Sequence, residues 1–189
     1  MTIEDALASH ALEPSLATPL ADFVTLFESW NQRINLSAAR TRIAIEDHVI
    51  DSLAVVPHLH DAKHVLDVGS GGGFPVVVAA ICRPDITFVA LEPVHKKHAF
   101  LRTAARELVL PNLDARAQRL EDHPVHDYDL AMSRATFDLE SWFAQAREYV
   151  RAGGVIVGFE ALPVSLSIPI SRFPYVFGDR TRAILIHHL

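Results

Sequence analysis

The chain has 189 residues, half of them hydrophobic, and a formal net charge of −6. That length suits one compact unit with a full core and a short appendage. The acidic balance argues against a protein that coats nucleic acid non-specifically, because phosphate contacts need clustered Lys and Arg. A single cysteine, Cys82, excludes an internal disulfide framework and suits a reducing compartment. Met1 to Leu12 mixes Glu4, Asp5 and His10 among apolar residues and lacks the basic head and apolar run of a secretory signal. No stretch approaches the ~20 apolar residues that span a bilayer, so a cytoplasmic protein, acting as a monomer away from membranes, is expected.

In chain order, Leu20, Phe23, Val24, Phe27 and Trp30 recur at helical spacing behind Thr18-Pro19, a cap and first turn. Trp30 to Arg42 turns polar and irregular, and Ile43 to Leu59 resumes an apolar helical stripe broken at Pro57. Residues 1–60 are thus expected to form a helical extension packed on a core formed by 61–189. From Val65 the chain alternates. A strand at Val65 to Val68 is followed by a helix over Phe74 to Cys82, a strand at Ile86 to Leu91 and a long helix over Val94 to Leu110. Short strands at Leu113 to Ala117 and Asp129 to Ser133 precede a helix near Leu139 to Val150, and Gly153-Gly154 turns the chain into a strand at Val155 to Phe159. Alternation of this kind predicts a parallel sheet with helical crossovers.

The tail differs. Ser165 to Ser171 alternates polar and apolar as a half-exposed strand would, and Arg182 to His187 is mostly apolar. The Gly178-Asp179 link between them suits a hairpin. A parallel sheet ending in an antiparallel hairpin is the architecture of class I methyltransferases. Basic residues gather locally at Lys96, Lys97, Arg102 and Arg106, and at Arg33, Arg40 and Arg42. From sequence alone, solvated helix faces explain such clusters better than a nucleic-acid face does.

The chemistry concentrates in Val65-Leu66-Asp67-Val68-Gly69-Ser70-Gly71-Gly72-Gly73-Phe74-Pro75. Glycines between a strand and a helix permit a sharp turn and close approach of backbone to a ligand, which places them at the nucleotide-side crevice of a doubly wound sheet. About 20 residues further on, the second strand ends in Glu92, where a carboxylate can accept hydrogen bonds from a ribose diol. Phe74 occupies the place of the third glycine of a dinucleotide fingerprint, and Phe74-Pro75 would crowd a pyrophosphate on the helix N-terminus. S-adenosylmethionine is therefore favoured over a dinucleotide.

Trp30-Asn31-Gln32-Arg33-Ile34-Asn35-Leu36-Ser37-Ala38 and His48-Val49-Ile50-Asp51-Ser52-Leu53 closely resemble the start of the RsmG (GidB) family. These bacterial methyltransferases modify N7 of one guanine in small-subunit (16S) ribosomal RNA. Leu66 to Pro75, Lys96-Lys97, Phe100-Leu101, Arg119-Leu120-Glu121 and Ser133-Arg134-Ala135 extend the resemblance, which runs from Phe23 to Phe159 and resumes at Gly178-Asp179-Arg180. It implies an α/β, Rossmann-like class I methyltransferase that binds S-adenosylmethionine and acts on 16S ribosomal RNA or the small ribosomal subunit. By resemblance Gly69, Ser70, Gly71 and Phe74 line the cofactor pocket, Glu92 faces the ribose, Leu120 and Glu121 frame the adenine, and Arg134 touches cofactor or target base. Asn31, Arg33, Asn35, His48, Asp51, Lys96, Arg119 and Arg180 make up the RNA-facing or base-positioning surface. Guanine N7 carries a free lone pair, so Arg134 is expected to orient the base; neither a general base nor a metal is needed.

Bland readings stand beside these. Asp67 can cap the glycine turn instead of contacting the cofactor. Asn31 and Asn35 can be loop caps, and His48 with Asp51 a helical surface pair. Cys82 reads as a small core residue. Trp142 and Phe143 suit helix packing or base stacking, and His187-His188 has no metal-ligand partners.

Three departures from the family point to the substrate side. Val76 replaces a small glycine, Glu160 replaces a lysine and so reverses a charge near the presumed RNA face, and Ala161 to Val164 leaves no room for the usual crossover helix. Two alternatives follow: a methyltransferase of the same descent acting on another RNA or a small molecule, and a non-catalytic protein that binds S-adenosylmethionine or the ribosome.

Overall fold

The structure, a computed structural model, describes residues 1–134 and 136–189; Ala135 of the Ser133-Arg134-Ala135 match lies outside the described residues. Three helices open the chain: α1 (Ile3–Ser9), α2 (Ala17–Ile34) and α3 (Arg42–Leu53). Thr2 caps α1 reciprocally with Asp5, satisfying two backbone N–H groups that the first turn leaves free. Helix α2 buries Leu20, Phe23, Val24 and Phe27 on one face, as the spacing predicts. It also runs on through Asn31 to Ile34, part of the segment read as irregular, and ends where Asn35 turns left-handed at φ 57°. Asparagine tolerates that conformation better than most residues.

The alternating unit follows as β1 (His64–Val68), α4 (Val76–Cys82), β2 (Thr87–Leu91), α5 (His95–Glu107), β3 (Leu113–Arg116), β4 (Tyr128–Ser133), α6 (Leu139–Ala146), β5 (Val150–Glu160), β6 (Ser171–Phe177) and β7 (Arg180–His188). The seven strands lie in the order β3-β2-β1-β4-β5-β7-β6. The first five are parallel, while β7 runs antiparallel to both β5 and β6. Strand β5 begins at Val150, earlier than predicted, and its pairing with β4 shifts register between Tyr128 and Leu130, which leaves Gly153 (φ 76°) and Gly154 at an irregularity inside the strand.

Strand residues alternate between two cores. Val65, Phe88, Ala90, Leu130 and Met132 join α1–α5 on one face; Leu66, Val68, Val89, Leu91 and Ala131 join Trp142, Phe143 and Ala146 of α6 on the other. Trp142 and Phe143 are helix packing, with the Trp142 indole N–H donating to the Val157 carbonyl at 2.8 Å. Cys82 lies in the first core, its thiol pushed up to about 12 by burial.

The hairpin is real but offset from its predicted place. Its first strand is Ser171–Phe177, and Gly178-Asp179 closes the turn between Phe177 and Arg180 with Gly178 at φ 63°. The alternating stretch Ser165 to Ile170 forms no strand. Its period of two arises because Leu166, Ile168 and Ile170 pack on the second core. The short link after β5 is thus filled by an extended apolar strap.

Candidate active site

The crevice opens where the sheet order reverses, between β1 and β4. Gly69 (φ 72°), Gly71 (φ 57°) and Gly73 (φ 87°) carry the chain round in a region that L-residues with side chains rarely adopt. The Gly69 and Ser70 N–H groups donate to the Leu91 carbonyl at 2.9 and 3.1 Å, tying this turn to the end of β2. Glu92, directly after β2, is buried and clamps the same turn: its carboxylate accepts from the Gly71 N–H and the Val94 N–H, both at 2.8 Å. Each carboxylate oxygen keeps a second lone pair, so the clamp leaves acceptor capacity for a diol.

Asp67 is the unsatisfied member of the crevice. It is buried, and neither carboxylate oxygen has a hydrogen-bond partner among the described residues, so it does not cap the turn. Burial pushes its pKa up to about 7. A buried carboxyl without donors is costly unless a donor arrives with a ligand. The ammonium group of S-adenosylmethionine is such a donor, and with the glycine turn and Glu92 the residues present fit that cofactor. Ser70 is buried with its hydroxyl on the Asp67 carbonyl. Leu120 is buried in a short turn, Leu120–Asp122, where its carbonyl accepts from Tyr149 Oη at 2.9 Å, while Glu121 is exposed.

Phe74 belongs to an aromatic cluster, its ring centroid 5.0 Å from Phe27, 5.2 Å from Phe23 and 5.2 Å from His48. The Arg134 guanidinium lies 5.6 Å from the Phe74 centroid, close enough for cation–π attraction. Val76 is fully buried in the first core, away from the cleft described next.

Arg134 is anchored by a residue assigned to the RNA surface. Asp51 is 2% exposed; one oxygen accepts from Arg134 at 2.9 Å and pairs ionically with Arg182 at 2.8 Å, and the other accepts from the Tyr175 hydroxyl at 2.8 Å. Its carboxylate is spent on these groups, so it is no open RNA-contacting surface; it lines the cleft and holds Arg134 and Arg182 in place, the base-positioning side of the expectation. For Asn31 the RNA-facing reading is corrected: it is buried, accepts from the Ser37 N–H at 2.9 Å and donates to the Ala39 carbonyl at 2.5 Å, so it fastens the α2–α3 loop. His48 is half-buried, and burial, reinforced by Arg134, lowers its pKa. Arg33, Asn35, Lys96, Arg119 and Arg180 are exposed.

The acid in place of lysine is internal too. Glu160 is 5% exposed and accepts from Arg172 Nε at 2.8 Å, Arg172 Nη2 at 2.7 Å and the Val164 N–H at 3.0 Å. It lines the cleft described below, with its charge paired by Arg172. Sequence reasoning missed Tyr175, Arg182 and Arg172, which lie on the hairpin; only its register brings them in, Tyr175 pairing directly with Arg182. Beside these residues lies a cleft of about 300 Å³ lined by His48, Asp51, Arg134, Phe159, Tyr175 and Arg182, among others. Among the described residues no helix is long and apolar enough to cross a membrane, and no group of His, Cys, Asp or Glu is placed to hold a metal ion.

The sheet order, the glycine turn after β1 and the acid after β2 define a class I methyltransferase of the Rossmann-like type. Solved methyltransferases share this fold. The O-methyltransferase TomG of Streptomyces achromogenes, solved in complex with SAM, superposes with a TM-score of 0.60 at 14% identity, covering 87% of this chain and 88% of that one. An O-methyltransferase from Bacillus cereus in complex with SAH gives a TM-score of 0.59 at 15% identity over 89% and 90% of the two chains. At the level of family, residues 17–162 match GidB, described as rRNA small subunit methyltransferase G. Proteins named ribosomal RNA small subunit methyltransferase G are 37% identical in Chromobacterium violaceum, over 82% of this chain and 75% of that protein, and 34% identical in Aromatoleum aromaticum, over 100% and 90%. That of Legionella pneumophila subsp. pneumophila is 32% identical over 94% and 90%. The chain belongs to the rRNA small subunit methyltransferase G family.

Proposed function

We propose that this protein transfers a methyl group from S-adenosylmethionine to N7 of a guanine in 16S ribosomal RNA. The observation that carries the reading, beyond family membership, is the placement of Arg134. Its guanidinium is held by Asp51 and lies over Phe74, at the boundary between the glycine turn and the cleft.

S-adenosylmethionine, when bound, supplies a methyl group on a positively charged sulfur. Asp67 and Glu92 would hold its ammonium and ribose groups, and Gly69, Ser70 and Gly71 would admit it against bare backbone. On the acceptor side, a ring nitrogen with a free lone pair needs no proton removed before it attacks. What remains is alignment and exclusion of water, which is catalysis by positioning. Arg134 can donate to guanine O6 beside N7 and hold the ring in line. Because Asp51 balances part of its charge, it opposes the cation developing on the base less than a free guanidinium would. Arg33, Lys96, Arg119 and Arg180 are exposed and would be the cations available for phosphate contacts.

The test is methyl transfer from labelled S-adenosylmethionine to small ribosomal subunits and to naked 16S RNA, both from a strain lacking any such enzyme, with the labelled base mapped. Label at a single guanine N7 supports the proposal. Label on another RNA keeps the cofactor site and changes the acceptor, whereas cofactor binding with no label on any acceptor leaves a binding protein.

A further inference from the structure

We propose that the cleft beside Arg134 is a phosphate seat, built on Arg182 of the hairpin, that holds a backbone phosphate of the RNA strand next to the target guanosine. The proposal rests on the RNA-methylating reading above and adds the group that fixes the strand.

Three observations carry it. The first is the charge of the wall. Arg134 and Arg182 share a single carboxylate, Asp51, at 2.9 and 2.8 Å. The other acid of the cleft, Glu160, is spent on Arg172 at 2.7 Å and on the Val164 N–H at 3.0 Å. The Tyr175 hydroxyl donates to Asp51 and adds no charge. The wall therefore carries about one positive charge more than it balances, on side chains only 16% and 25% exposed, where a charge is less screened than at the surface.

The second is a leftover donor. Arg182 Nε is buried and has no hydrogen-bond partner among the described residues. The Phe177 ring centroid, 4.2 Å from the guanidinium carbon, lies over the flat face of the group, Nη1 is held by Asp51, and Nε–H is left without an acceptor. A guanidinium edge is a fork that matches the oxygens of a phosphate.

The third is place and size. The cleft holds about 300 Å³ and is lined by Arg134 but by no residue of the glycine turn, by neither Glu92 nor Leu120. That volume is at the lower end of small-ligand sites. A phosphate there would sit on the side of Arg134 away from the cofactor crevice, so the strand would be held on one side of the base and the methyl donor on the other.

The test is ligand titration into the full chain, followed by calorimetry or ligand-observed NMR, with guanosine 5′-monophosphate, guanosine, inorganic phosphate and a short guanosine-containing RNA as probes. The monophosphate should bind about tenfold or more tighter than guanosine, and inorganic phosphate and the RNA should each displace it. Arg182→Gln should abolish that advantage and Arg182→Lys keep part of it, with S-adenosylmethionine affinity and far-UV circular dichroism unchanged in both.

Equal binding of monophosphate and guanosine would overturn the seat, as would an advantage that survives Arg182→Gln. So would loss of the advantage on saturation with S-adenosylmethionine, which would assign the anion site to the cofactor carboxylate. Displacement by inorganic phosphate but not by RNA would overturn the backbone assignment. If the phosphate advantage holds while no guanine N7 is labelled in the transfer assay, the seat stands and the methyl-acceptor reading fails.

Discussion

Glu160, at the end of β5, grips Arg172 of β6 with both carboxylate oxygens, at 2.7 and 2.8 Å, across the strap between the two strands. The guanidinium holds the Glu160 carboxyl below its ordinary value. Its contribution to stability is therefore present above the ordinary glutamate range and lost as pH falls through the lowered value. Glu160→Lys, the residue type expected here from the resemblance, should be harmful. A lysine there would face Arg172 and strip the Val164 N–H of its acceptor. The variant should be destabilised, though by less than a fully buried pair would imply, because Arg172 is 43% exposed. Urea unfolding of the variant at neutral pH measures it; an unchanged midpoint would show that the pair is decorative.

Arg134 and Asp51 should respond differently to removal. Arg134→Ala leaves Asp51 with Arg182 and Tyr175, so the fold should persist while turnover falls on the order of 100-fold through lost alignment of the base. Asp51→Asn instead leaves two poorly solvated guanidiniums without their carboxylate. It should cost about 3 kcal/mol of stability as well as activity. Thermal unfolding and single-turnover methyl transfer separate the two. Arg134→Ala with full turnover would show that the orienting role belongs elsewhere.

The local elements were readable in the sequence, the terminal hairpin and its Gly178-Asp179 turn among them; the place of the hairpin's first strand and the long-range contacts that build the cleft were not. Strands β1 and β2, the glycine turn and Glu92 announce themselves because an apolar run, a turn residue and an acid lie within a few positions of one another. Asp51 and Arg134 lie 83 positions apart, and no local pattern says that they meet. Arg182 and Tyr175 join them only because β6 pairs with β7 in one register. The stretch from Ser165 to Ile170 shows how a signal can be true and its interpretation false, since alternate residues do bury, but under a strap that pairs with no strand. For Asn31 the resemblance pointed to the RNA surface while the residue's own chemistry pointed to a loop cap, and it is the second that the structure shows, with the side chain turned inward to hold the loop.

Gly72 tests whether the cofactor turn depends on the helical layer beneath it. A Cβ at Gly72 would lie 2.5 Å from Phe27 Cε2. That ring cannot easily yield, with Phe74 and Phe100 at 5.0 and 5.5 Å between centroids. Gly72→Ala should cost about 1–3 kcal/mol and displace the turn, lowering S-adenosylmethionine affinity with it. Adding Phe27→Leu should recover part of both, a coupling that contacting residues show and distant ones do not. Purely additive effects in calorimetric titration would show that the turn and α2 are independent.

Asp67 gives the protein a pH signature. Its pKa is 3.8 in an unperturbed chain and about 7 when buried here. Between those values the folded state holds a proton that the unfolded state has released, so stability is greatest below the lower value, declines as pH rises toward the upper one and is level beyond it. Asp67→Asn removes the titration, and the stability difference between variant and wild type should therefore grow in the variant's favour across that window. Cofactor binding should move in the reverse sense. The ionised carboxylate is the better partner for an ammonium group, so wild-type affinity for S-adenosylmethionine should rise as pH passes through about 7, whereas the asparagine variant should bind about tenfold more weakly above that pH without the rise. Urea unfolding and calorimetric titration of both proteins across the window check the two halves. Parallel stability curves would mean that Asp67 is charged throughout, and equal affinities would mean that the cofactor's ammonium is held by another group.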